Sequence, residues 1–262
     1  MNMEIYEMPL VFFTVIAQWG IGGILAFTLC QHRFDNRWQR RIALGLWIIT
    51  AAGSAASLAH LGSPGGAYRA VYGLGHSWLS REVLAFGALN ALSTLWLLSV
   101  WRKPALMHLA GFCCSAAGAV AILVSVQVYA QMNLHPLWQF GVTAPAFLGC
   151  ALLTGFASVC VLLNTVGQKQ PALLVAGWLL GLILIFLSLF WRYQLPGADS
   201  ESALLWWQVA ASLIAGLAGL AWLRAKPRPV LAGGLLIALI LVGELAGRML
   251  FYGNVMGGAP WF

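Results

Sequence analysis

The stretch "SLAHLGSPGGAYRA" (Ser57–Ala70) starts as the tail of an apolar run and ends as a polar, glycine-rich loop, with His60 at the changeover. Twelve residues after that loop comes Glu82, the first residue of another apolar run. Glu244 and Arg248 stand one helical turn apart in the last such run, which puts both on one helix face. In a chain with only 8% charged residues these few ionisable groups carry the chemistry. A histidine titrates near neutral pH, and a carboxylate beside it can serve as a second proton acceptor. A His–Glu set at a lipid–water boundary is therefore suited to taking up two protons.

The elements that position these residues follow from composition. Of 262 residues, 61% are hydrophobic, and the mean hydropathy is +0.85. A soluble domain is about a quarter charged and could not bury this much apolar surface. The chain therefore reads as an all-α integral membrane protein, because long apolar runs without period-2 alternation favour helices over a barrel. Runs of about 20 apolar residues suffice to cross a bilayer. Eight are expected: Met8–Cys30, Arg41–Ala59, Glu82–Trp101, Leu106–Ala130, Val142–Leu163, Pro171–Trp191, Ala203–Leu223 and Val230–Tyr252. They fill the chain as a single transmembrane domain over 1–262, with no cleavable signal peptide expected, since Met1–Glu7 is acidic and lacks a basic region.

Ten of the 14 basic residues fall in alternate connections: Arg33, Arg37, Arg40 and Arg41; Arg102 and Lys103; Lys169; and Arg224, Lys226 and Arg228. The positive-inside rule places those connections in the cytoplasm and both termini outside it. The basic balance thus reflects topology, and no nucleic-acid partner is expected. On this topology Arg248, about 27 Å of helix rise from Val230, shares the extracytoplasmic level with His60 and Glu82.

At that level the residues suit quinol oxidation, in which an amphipathic ring enters from lipid, two electrons leave and two protons are released. Gly62, Gly65 and Gly66 allow close approach of a ring or its substituents. Ser63, Tyr68, Arg69, Arg81, Glu244 and Arg248 are candidate supports for the site, and Tyr68, Tyr72 and Trp78 suit a ring ligand or the interfacial aromatic belt. Structural roles compete with these. Glu82 can be a first-turn carboxylate favoured by the helix dipole, with Ser80 as cap. Glu244 and Arg248 have the spacing of a structural ion pair.

Haem is not expected, because membrane b-type haem needs paired histidines within spans, whereas His32, His76, His108 and His135 lie at span ends or in loops. The five cysteines, Cys30, Cys113, Cys114, Cys150 and Cys160, form no C-x-x-C pair, so neither a metal nor an iron–sulfur cluster is expected in this chain. Electrons from a quinol must therefore pass to a partner. Two other readings fit the composition: a multi-span small-solute transporter, against which stands the absence of a clear internal repeat, and a purely structural anchor with no quinone site.

"HLGSP" (His60–Pro64), then an aromatic and "LSRE" (Leu79–Glu82), with "GELAGRMLFYG" (Gly243–Gly253) near the end, resembles the membrane-anchor subunit of dimethyl sulfoxide reductase. "MPL" (Met8–Leu10) loosely matches a further family motif. The resemblance covers essentially the whole chain. It implies a bacterial inner-membrane anchor that oxidises menaquinol during anaerobic respiration and carries no haem. Its expected partners are an iron–sulfur subunit and, through that, a molybdopterin catalytic subunit. The family's quinol-site histidine and glutamate correspond to His60 and Glu82. The sequence departs from the family where an arginine often follows the proline by two residues; here that position is Gly66, with Arg69 nearby.

Overall fold

The computed structural model describes residues 6–58, 68–69, 72–131, 136–195, 202–225 and 229–256. They form eight α-helices: α1 (Met8–Cys30), α2 (Asn36–Leu58), α3 (Trp78–Arg102), α4 (Met107–Ala130), α5 (Phe140–Thr165), α6 (Ala172–Gln194), α7 (Ala203–Arg224) and α8 (Val230–Met256). The expected runs and the observed helices coincide one for one. Seven of the eight are long and apolar enough to cross a membrane. The exception is α2, the most polar of the set, which opens on Asn36, Arg37, Gln39, Arg40 and Arg41.

Proline marks several helix starts, where a missing N–H costs little. Pro9 lies in the first turn of α1, Pro171 caps α6, and the Pro229 carbonyl accepts from Gly233 N at the start of α8. Within the apolar helices, serine and threonine hydroxyls donate back to carbonyls of the preceding turn, as Thr50 does to Leu46 (2.9 Å) and Ser115 to Gly111 (2.8 Å). Each such hydroxyl is thus satisfied without water.

Neighbouring helices pair in sequence order, α1 with α2, α3 with α4, α5 with α6 and α7 with α8, while α1 also packs along α5. Helices α1 and α5 are the most enclosed of the seven spans, and α1 is apolar all round, as a central helix must be. Their contact depends on small residues. A Cβ at Gly22 would overlap the Ala151 carbonyl of α5, and one at Gly155 would overlap the backbone of Gly22 and Gly23. Lipid supplies no hydrophobic drive between helices, so this backbone approach provides the van der Waals contact that holds the pair.

Candidate functional site

The helix carrying Glu82 starts earlier than the sequence suggests. The turn Gly73–Ser77 closes through Ser77 N to Gly73 O (2.9 Å), and Ser77, rather than Ser80, caps α3, its hydroxyl accepting from Ser80 N (3.3 Å). Helix α3 therefore begins at Trp78, and Glu82 lies a full turn inside it, beyond the free N–H groups of the first turn. The dipole-capping role is thereby removed. Glu82 is only 7% exposed and accepts a 2.5 Å hydrogen bond from Ser125 Oγ of α4.

Beside Glu82 lies a cavity of about 360 Å³ between α1, α2 and α3. Leu10 and Phe13 of α1 line it, with Ala51, Ser54, Ala55 and Ser57 of α2. From α3 come Leu79, Glu82, Val83, Phe86, Gly87 and Asn90. Phe13 and Phe86 meet edge to face with centroids 4.7 Å apart and form an aromatic wall. Ala55, Leu79 and Gly87 are exposed at the rim. An apolar chamber with a few fixed polar groups and a volume of this order is the usual form of a small-ligand site. Its chemistry fits an apolar ring with hydroxyl groups, for which Glu82 is a proton acceptor within reach. Residue His60 follows the end of α2 by two positions; it, Gly62, Ser63, Gly65 and Gly66 lie outside the described residues.

The other candidates are placed elsewhere. Arg81 closes the turn before α3, donating from Nε to Leu74 O (2.9 Å) and from Nη2 to Gly75 O (3.2 Å), with its guanidinium 4.3 Å from the Trp78 ring centroid. Tyr68 and Arg69 are exposed and pair with each other, the guanidinium 5.9 Å from the ring centroid. Neither they nor Arg81 line the cavity.

Glu244 and Arg248, each 3% exposed, line a second cavity, of about 20 Å³, together with Ser188, Arg192 and Gln208. That volume holds about one water. Arg248 donates from Nη2 to Gln18 Oε1 of α1 (3.0 Å) and lays its guanidinium 3.8 Å from the Phe147 centroid. It thus ties α8 to both central helices. An aromatic cluster of Tyr129, Trp138, Phe147, Phe251 and Tyr252 packs beside it, fixed by Tyr129 Oη to Tyr252 Oη (2.7 Å) and Trp138 Nε1 to Phe251 O (2.9 Å). Glu82 and Arg248, expected at one level from the sequence, thus line different cavities, and Glu244 lies with Arg248.

Sequence reasoning missed Ser125, Asn90, Ser54 and Gln18. One signal was present: each is a polar side chain within an otherwise apolar helix, where such groups need partners.

These features define a multi-pass helical membrane protein with a side-opening apolar cavity that has a buried carboxylate, Glu82, on its wall. The model of the DMSO reductase anchor subunit (DmsC) family matches residues 1–195, that is, α1 through α6 with both His60 and Glu82, and the protein belongs to that family. It is 31% identical to the anaerobic dimethyl sulfoxide reductase protein YnfH of Escherichia coli K12, over 95% of this sequence and 94% of that protein. Its identity to the C subunit of anaerobic dimethyl sulfoxide reductase from the same organism is 30%, over 95% and 94% of the two sequences. For the corresponding subunit of Haemophilus influenzae it is 28%, over 97% and 96%.

Proposed function

We propose that this chain oxidises menaquinol as the membrane anchor of a dimethyl sulfoxide reductase-type molybdoenzyme. The observation that carries the reading is the buried Glu82 carboxylate on the wall of a side-opening apolar cavity. The ring enters from lipid past Ala55, Leu79 and Gly87 and stacks near Phe13 and Phe86. Glu82 takes one hydroxyl proton, with Ser125 holding the carboxylate in place, and His60 takes the other. Each quinol oxidised gives a quinone, two protons and two electrons. The electrons pass to an iron–sulfur partner subunit and from it to a molybdopterin catalytic subunit.

In this reading all eight helices span the bacterial inner membrane and both termini are extracytoplasmic. The basic residues at the α1–α2, α3–α4, α5–α6 and α7–α8 connections support that orientation, among them Arg37, Arg40, Arg41, Arg102, Lys103, Lys169 and Arg224. The Glu82 end of α3 then faces outward, and the iron–sulfur partner docks on that face.

The test is isolation of the tagged protein in mild detergent from anaerobically grown cells, followed by metal analysis. Iron and molybdenum in stoichiometric amounts are the expected result. A protein that comes down alone, from cells expressing its genomic neighbours, would contradict the anchor reading and favour a transporter.

A further inference from the structure

The hydrogen-bonding character of the cavity wall carries a second conclusion, which rests on the quinol reading. Four polar side chains line the cavity among the described residues: Ser54, Ser57, Glu82 and Asn90. Ser54 Oγ donates to Thr50 O (2.8 Å), and Ser57 Oγ donates to Ser54 O (2.7 Å). Asn90 Nδ2 donates both to Phe86 O (2.8 Å) and to Ser54 Oγ (2.9 Å). The Phe86 carbonyl can only accept, so it fixes which amide atom is nitrogen. Both amide hydrogens are thereby committed inside the protein, and Asn90 Oδ1 is the atom left for a ligand. Every hydrogen on Ser54, Ser57 and Asn90 side-chain polar atoms is spent on the protein itself, so these three offer a ligand acceptors only.

We infer that Asn90 Oδ1 is the inner acceptor of the cavity and that the cavity selects the hydroxyl-bearing, reduced ring over the dicarbonyl product. Residues 82, 86 and 90 follow one face of α3, and eight residues correspond to about 12 Å of rise. A ring with hydroxyls on opposite edges, plus a hydrogen bond of about 2.8 Å at each end, is of that length. One hydroxyl addresses Glu82 and the other Asn90. After oxidation the inner oxygen becomes a carbonyl facing Asn90 Oδ1, two acceptors with no hydrogen between them, and the product leaves. Ser54 is a positioning residue: it holds the amide in its donor-inward orientation.

The experiment uses the full-length protein in lipid nanodiscs under anoxia, with empty nanodiscs as the partition blank. Menadiol and menadione binding are measured by equilibrium dialysis. Menadiol is expected to bind about tenfold tighter than menadione, the scale of one hydrogen bond made or unmade. Asn90→Ala should weaken menadiol about tenfold and leave menadione unchanged. Ser54→Ala, a near-isosteric change, frees one amide hydrogen and should strengthen menadione several-fold while menadiol holds. This gain of binding is not expected of a residue with a merely structural role. Equal affinities in the parent protein, or a ratio that neither variant moves, would overturn the inference and leave the quinol reading standing. Binding of neither compound would overturn both.

Discussion

Glu82→Gln is expected to lower quinol-driven reduction by at least about 100-fold, the scale of a general base removed from a reaction, while the complex assembles at its normal level. The carboxamide has the same shape and keeps an oxygen to accept from Ser125 Oγ, so the α3–α4 contact survives. What it lacks is the capacity to take the hydroxyl proton. Electrons supplied by a reduced dye that reaches the partner subunits directly bypass the cavity, and that activity should be unchanged. The two assays on one preparation separate a lost proton acceptor from a lost fold. Normal quinol turnover in Glu82→Gln would remove the acceptor role.

The second large effect is on stability. Arg248→Leu takes the cation from beside Glu244 and the donor from Gln18 Oε1, and uncovers the face of Phe147. Glu244 is 3% exposed and cannot recover its hydration. Removing one member of a buried charged set costs about 3–5 kcal/mol, enough to deplete the protein from membranes and to lower its melting temperature in detergent. Fluorescence-detected size-exclusion chromatography over a heating series measures this. A normally stable Arg248→Leu protein with impaired quinol turnover would instead move Arg248 into the quinol site. The two substitutions should therefore behave oppositely, Glu82→Gln inactive but stable and Arg248→Leu unstable, because the two residues line different cavities.

The helices were legible because the signal for each is about 20 apolar residues, long enough that no tertiary detail overrides it. The start of α3 was not, because Ser77 and Ser80 are equally good caps in sequence and only the Gly73–Ser77 turn chooses between them. That choice moved Glu82 from a helix end to a buried position, which changes its meaning. Helix rise alone puts Glu82 and Arg248 at one expected level, but lateral position is a separate matter, since it depends on which helices pair: α3 with α2 and α4, α8 with α7, α5 and α1. The partners of Glu82 and Arg248 show the same limit. Ser125 lies 43 residues from Glu82 and Gln18 lies 230 from Arg248, separations at which only packing identifies a partner.

The central claim is that quinol is oxidised in the cavity between α1, α2 and α3. Photolabelling with an azido-naphthoquinone in native membranes, followed by peptide mapping, tests it most directly. The account predicts label concentrated on the peptides spanning 51–57 and 79–90, reduced by excess menaquinol. Label concentrated instead on α6, α7 or α8, around Arg192, Gln208 and Arg248, would contradict it.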